Sequence, residues 1–170
     1  MSVQDDSADF QTLQTMKLLE MHGAILDELR RREVIRTSNN PTGDYAETLF
    51  QKAFHWTLER NSSAGHDARC DDNQKYQIKS RRMTKFNDSR QLGAIRNLEK
   101  NNFDYLAAVI FNEDYSVSRA VIVPRNKLSM MKSKFSKHVN AHIFFLTDDV
   151  WAIEGAINVT AELQAATKKL

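Results

Sequence analysis

The chain has 170 residues, of which 41% are hydrophobic and 27% charged, with five Gly and two Pro. This length suits one ordinary domain, and the composition allows a packed core and does not indicate a disordered or fibrous chain. The longest apolar run, residues 105–111, is far below the roughly 20 residues that span a bilayer, and the acidic start of the chain is unlike a signal peptide. A single cysteine, Cys70, excludes an intrachain disulfide framework. We therefore expect a globular protein of the cytoplasm with no membrane partner.

The positive charge of the chain is concentrated in two segments, although the net charge is only +2. Residues 79–100 carry a local charge of +5, and residues 124–138 contain five basic residues and no acidic one. The rest of the chain is left at −8. Such a distribution is typical of a surface that binds a polyanion, although solvated loops also produce it.

Two helices are predicted in the first third of the chain. Apolar residues at three- and four-residue spacing, such as Leu18, Ile25 and Leu29, predict a long amphipathic helix over residues 9–36. A turn at residues 37–43 precedes a second helix that extends to about residue 58. Glu47 lies beside the apolar stripe of this second helix.

The remaining elements alternate between strands and helices. Strands are predicted at residues 66–70, 75–80, 103–111, 117–123 and 142–146, and helices at about 89–100, shortly after Pro124, and from about residue 159. This order predicts an α/β fold with a mixed central β-sheet flanked by helices and a long N-terminal helix. We interpret residues 1–170 as one domain, with a helical extension at 9–36, a core at 41–124, and C-terminal strand and helices at 125–170.

The first two strands place polar side chains on one face of a hairpin. In the second strand Gln77 and Lys79 alternate with the apolar Tyr76 and Ile78. A three-residue loop at 71–73 puts Asp67 on the same face as Gln77, whereas an even loop separates them. Only the odd loop gathers all the apolar residues of both strands on the other side, so we expect the odd loop.

This face has the composition of a magnesium site. Mg²⁺ prefers one or two carboxylates, completed by waters and substrate phosphate. Asp67, the side-chain oxygen of Gln77 and the backbone carbonyl of Ile78 would supply such a site, and Glu47 is a further candidate ligand. Lys79 would orient the attacking water or stabilise charge on the phosphate.

Three motifs resemble those of the PD-(D/E)XK nuclease superfamily, which has the restriction-endonuclease-like fold. They are Gly-Asp-Tyr-Ala-Glu at 43–47, Gly-His-Asp at 65–67 and Tyr-Gln-Ile-Lys at 76–79. The resemblance covers residues 41–124 and implies a Mg²⁺-dependent endodeoxyribonuclease, with Mn²⁺ as an alternative ion. It also implies that Glu47, Asp67, Gln77 and Lys79 are its catalytic residues, the first three being the metal ligands.

The chain departs from the superfamily pattern at two positions. His66 stands where a proline usually precedes the aspartate, and Gln77 replaces the usual acid. A neutral ligand should lower metal affinity, although some members of the superfamily use glutamine here. Two other hypotheses therefore stay open, namely a catalytically inactive DNA-binding or assembly module of the same fold, and an RNA-directed protein.

Basic residues beyond the second strand predict the contact with nucleic acid. Four arginines are the candidates for gripping phosphates, namely Arg81, Arg82, Arg90 and Arg96. Duplex DNA is the expected substrate. The N-terminal helix could pack on its own domain or on a partner copy. Cutting both strands usually needs two active sites, so a homodimer is one expectation.

Overall fold

The computed structural model describes residues 9–60 and 65–170, which form two compact units. The described residues up to Pro41 belong to the first unit, and those from Thr42 onward belong to the second. The predicted polar loop at residues 60–65 lies largely outside the described residues.

The first unit is built around helix α1, Thr15–Arg31. It is shorter than the predicted helix at 9–36, because Phe10–Thr12 form a separate 3-10 turn and the chain leaves the helix after Arg32. None of the residues of α1 is buried. Its surface carries ion pairs, including Glu28 with Arg31 at 2.6 Å and with Arg32 at 2.7 Å. These two arginines lower the pKa of Glu28 to about 2.

The second unit contains a mixed six-stranded sheet. Its strands are β1 (Thr57–Leu58), β2 (Ala68–Arg69), β3 (Lys75–Arg82), β4 (Tyr105–Phe111), β5 (Val117–Pro124) and β8 (Ile157–Asn158). Their spatial order is β1-β2-β3-β4-β5-β8. The pair β3 and β4 is parallel, and every other neighbouring pair is antiparallel. A separate antiparallel ribbon is formed by β6 (Ser133–Ser136) and β7 (Ala141–Phe144). The mixed α/β architecture expected from the sequence is confirmed.

The two faces of the sheet bury separate hydrophobic clusters. Helices α2 (Thr42–Phe54) and α3 (Thr160–Thr167) cover the face to which Tyr76 and Ile78 belong. The opposite face packs Leu106 and Ala108 against side chains from the 83–104 connection and from the chain after β5. Gln77 pairs with Leu106 and Lys79 with Ala108, so both polar residues of β3 belong to this second face.

The predicted helix at 89–100 is wrong, and the second predicted helix ends early. Residues 90–95 are extended and bridge to the β7 region, and only Leu98–Lys100 form a 3-10 turn. Asn97 and Asn101, on either side of that turn, have left-handed backbone conformations, which a regular α-helix does not allow. Helix α2 ends at Phe54, because residues 57–58 pair with β2 as an edge strand. No described helix is long and apolar enough to cross a membrane.

Candidate active site

The hairpin of β2 and β3 has the register that places Asp67 opposite Gln77. Ala68 pairs with Tyr76 and Arg69 with Lys75, which leaves a short loop around residues 71–73. Asn73 adopts a positive φ of 62° and donates its N–H to the carbonyl of Cys70, as a short hairpin loop requires. The odd loop expected from the alternation of apolar residues is therefore confirmed.

The Asp67 carboxylate is tied to β3 by two hydrogen bonds. Its Oδ2 accepts the backbone N–H of Ile78 at 2.6 Å and the side-chain amide of Gln77. The backbone N–H of Asp67 donates to the Tyr76 carbonyl at 2.8 Å. The main chain and the side chain of Asp67 are thus both fixed against the strand that carries Lys79, which preorganises the group.

Asp67, Gln77 and Lys79 line one cavity of about 560 Å³. The opposite wall comes from the extended segment after β3. The other lining residues are Gly65, His66, residues 94–97 and Asn102. A Cβ atom on Gly93 would lie 3.5 Å from Cδ of Lys79, so this segment runs over the stem of the lysine. A carboxylate, an amide and an ammonium group therefore share one polar recess, large enough for a phosphate group and its neighbours.

His66 is a member of the cavity wall that the sequence did not single out. Its side chain is buried, and Nε2 lies 3.4 Å from Oε1 of Glu59, which also pairs with Nε of Arg69 at 2.5 Å. Glu59 donates its backbone N–H to the Asp67 carbonyl at 2.9 Å. In the sequence, the only signal for His66 was its position directly before Asp67, because nothing local indicates that Glu59, just beyond the predicted helix, pairs with the β2 region.

Gly65 is required at the entrance to this wall for two reasons. Its φ is +71°, a conformation that residues with a side chain rarely adopt. A Cβ atom there would also lie 2.5 Å from Nδ2 of Asn102. The close approach of these two residues joins the chain before β2 to the chain before β4, and it fixes the start of the His66-Asp67 segment.

The donor atoms of the site fit a hard divalent cation. Among residues 9–60 and 65–170, no group of three or more His, Cys, Asp and Glu side chains is placed to hold a metal. The site instead combines the Asp67 carboxylate with neutral oxygens. The N–H and C=O groups of one strand residue point to the same side, so the Ile78 carbonyl is directed to the edge where its N–H meets Asp67. With the Gln77 amide oxygen, this set suits Mg²⁺ that keeps several waters.

Glu47 is not brought into the cavity. It is half-buried on α2, the helix that packs on the Tyr76 and Ile78 face, and it is not among the cavity-lining residues. Asp67, Gln77 and Lys79 belong to the other face. The role of Glu47 as a metal ligand stays a prediction.

The four predicted DNA-binding arginines have different surroundings. Arg96 lines the cavity and donates from Nε to the Val139 carbonyl at 3.3 Å. The other three make contacts elsewhere in the second unit: Arg81 donates to the Ser89 carbonyl, Arg82 to the Glu113 carbonyl, and Arg90 forms an ion pair of 2.6 Å with Asp148. Their guanidinium groups brace loops of the fold, and Arg96 alone of the four lies at the candidate site.

Comparison with known proteins does not assign the chain to a family. A scan against protein-family models finds no match, and a search of curated proteins finds none either. Any assignment of function to the cavity therefore rests on its own chemistry.

Proposed function

We propose that the protein is a metal-dependent endonuclease that hydrolyses DNA phosphodiester bonds at the Asp67–Gln77–Lys79 cavity. The observation that carries the proposal is the arrangement of these three residues on one face of the β2–β3 hairpin. The restriction-endonuclease-like fold is part of the proposal. It is supported by the order of a helix, an antiparallel hairpin and a parallel neighbouring strand.

Each residue has a distinct part in this mechanism. Asp67, Gln77 and the Ile78 carbonyl would hold Mg²⁺ or Mn²⁺. The bound ion supplies charge neutralisation at the phosphate and a more acidic bound water. Lys79, under the segment that contains Gly93, would orient the attacking water or stabilise the negative charge that develops on the phosphoryl oxygens.

The test is the nicking of supercoiled plasmid by wild type, Lys79→Ala and Lys52→Ala, each with Mg²⁺, Mn²⁺ or EDTA. Lys52 is an exposed lysine in the last turn of α2, on the other side of the sheet. We expect wild type and Lys52→Ala to nick only with metal, and Lys79→Ala to lose about 100-fold or more of the rate, the typical effect of removing a transition-state charge partner. Undiminished nicking by a folded Lys79→Ala protein would overturn the mechanism.

The second candidate is a catalytically inactive DNA-binding or assembly module. It is favoured by the amide at position 77, which donates to Asp67 where an acid would add a second negative ligand. Such a module binds DNA with an affinity that falls steeply with salt, and it cuts nothing in any metal. An RNA-directed role is separated from both by competition between RNA and duplex DNA.

The cytoplasm is the proposed location, on the ground of the single cysteine.

A further inference from the structure

The antiparallel ribbon of β6 and β7 extends the wall of the candidate active site, and the inference drawn from it rests on the proposed function. Strand β7 pairs on one side with β6 and on the other with the 90–95 segment. The Ile95 N–H donates to the His142 carbonyl at 2.8 Å, and the His142 N–H returns to the Ile95 carbonyl at 2.9 Å. Ile95 and Arg96 line the cavity, so the ribbon begins one strand away from it.

The ribbon carries three lysines that are not paired with acidic groups. Lys132, Lys134 and Lys137 are exposed, and no acidic side chain of the described residues lies within ion-pair distance of them. Of the other two basic residues of the 124–138 segment, Lys127 pairs with Glu154 at 2.8 Å, and Arg125 donates to the side-chain oxygen of Asn101. Three of the four charges of this segment without an acidic partner therefore lie in or beside β6.

Aromatic rings accompany these lysines. Phe135, in the middle of β6, is 52% exposed and packs edge-on against His142 with ring centroids 5.1 Å apart. The Nζ atoms of Lys132 and Lys134 lie 5.4 Å and 5.6 Å from the ring centroid of Phe145. Lysines alone would protect an edge strand from pairing with other chains. An exposed phenylalanine between them works against that protection, which indicates a surface that contacts a partner.

We propose that the β6–β7 ribbon is the element that binds duplex DNA, and that it lays the phosphate backbone across the Asp67 cavity. A two-stranded ribbon has the width that the major groove of B-form DNA admits. Lys132 and Lys134 meet phosphates from the face that carries Phe145, and Lys137 does so from the turn after β6. Phe135 and His142, on the opposite face, supply flat ring surface toward the base edges or sugars. This placement brings a phosphodiester to the cavity wall at residues 94–97, where Arg96 supplies a further cation.

The experiment measures binding of a fluorescently labelled DNA duplex by anisotropy, in EDTA, as a function of salt concentration. The test variant is the triple change Lys132→Gln, Lys134→Gln and Lys137→Gln. The matched control removes the same charge from Lys52, Lys168 and Lys169, which are exposed on and after the two helices of the opposite face. We expect the slope of log Kd against log salt to fall by about one for each phosphate that a lysine no longer neutralises, up to three in the ribbon variant, with no such change in the control.

Each outcome bears on the proposal separately from catalysis, because EDTA prevents metal-dependent cleavage. Equal slopes for the two variants, no binding by wild type, or tighter binding of single strands or RNA than of the duplex would overturn the ribbon assignment. Ribbon-dependent binding without plasmid nicking leaves the ribbon assignment standing and overturns the proposed nuclease activity. Plasmid nicking, together with DNA binding that does not depend on the ribbon lysines, leaves the proposed nuclease activity standing and overturns the ribbon assignment.

Discussion

In the proposed mechanism, the residue at position 77 sets how strongly the cavity attracts a cation. The Gln77 amide donates to Oδ2 of Asp67, so the two side chains stabilise each other without a metal. A glutamate would place two carboxylates side by side, which is unfavourable until a cation neutralises them. We therefore expect the glutamine to stabilise the site without an ion and to lower its affinity for the proposed metal through the same contact.

Replacing Gln77 by glutamate should make stability depend on metal. In EDTA we expect Gln77→Glu to unfold more easily than wild type by about 1–3 kcal/mol, because a buried hydrogen bond becomes a repulsion. Magnesium should raise its melting temperature more than that of wild type, since a ligand that binds only the folded state stabilises it. Thermal melts with EDTA and with MgCl₂ provide the measurement.

Gln164→Glu is the control for this change. Gln164 donates its amide to the Val117 carbonyl at 3.0 Å, so its replacement also removes an amide hydrogen bond, but on α3. Magnesium should not restore this variant selectively. A magnesium effect of the same size in both variants would show that position 77 does not face the ion.

At the scale of the elements, β3 is held by an aromatic stack on its apolar face. Tyr76 packs on Trp56 with ring centroids 3.8 Å apart and donates its hydroxyl to the Gln74 side chain at 3.2 Å. Burial, and to a lesser degree the neighbouring Cys70 thiol, raises the pKa of Tyr76 above the usual range. The strand that carries Gln77 and Lys79 is therefore anchored from behind by a phenol that resists ionisation.

This raised pKa predicts a loss of stability in alkali. A phenol whose pKa is higher in the folded state contributes stability that is present below its unfolded pKa of about 10 and is lost as pH rises through the folded value. Tyr76→Phe lacks that contribution. At neutral pH we expect its free energy of unfolding to be lower than that of wild type by about 1 kcal/mol, because one hydrogen bond is missing. Above a pH of about 10, we expect this free energy to fall less steeply with pH than it does in wild type. Urea unfolding across this range measures both effects, and parallel curves would contradict the assignment.

The hairpin could be predicted from the sequence, whereas the 89–100 segment could not. In the hairpin, residues close in the chain alternate between apolar and polar, and only one register satisfies both strands. In the later segment, Leu92 and Ile95 are three residues apart, as on a helix, yet both are buried from an extended backbone. Their hydrogen-bonding partners in and near β7 lie about fifty residues further along the chain, so local periodicity gave no sign of them.

Distance along the chain also explains which site residues were missed. Asp67, Gln77 and Lys79 lie within one hairpin, and their common face follows from strand geometry. Asn102 reaches the cavity only through the packing of the connection that precedes β4. The face on which Glu47 lies depends on how α2 packs against the sheet, which the helical stripe alone does not determine.

At the scale of the whole molecule, α1 provides the apolar surface expected to join two copies. Leu18, Met21, Ile25 and Leu29 follow one another at spacings of three and four residues, the spacing of a helix-pairing seam. Ile25 is 55% exposed, although it lies in this seam. A second copy of the chain offers the same stripe, and it would add the second active site that a double-strand cut needs.

The prediction is that Ile25→Glu converts a dimer into a monomer. Met16→Glu is the control. Met16 is also exposed, but it lies nine residues before Ile25 and therefore on the opposite side of the helix. We expect wild type and Met16→Glu to have the mass of a dimer in light scattering after size-exclusion chromatography, and Ile25→Glu that of a monomer. Monomeric wild type at all concentrations would contradict the prediction.

The backbone that joins β7 to the cavity has a thermodynamic consequence. Residues 94–97 form the far wall of the Asp67 recess, and Ile95 among them is hydrogen-bonded to His142 of the ribbon. A ligand that stiffens the ribbon also stiffens this wall, and a ligand that fills the recess holds the ribbon in place. Linkage makes such coupling reciprocal, so a cation and a duplex should each tighten the binding of the other.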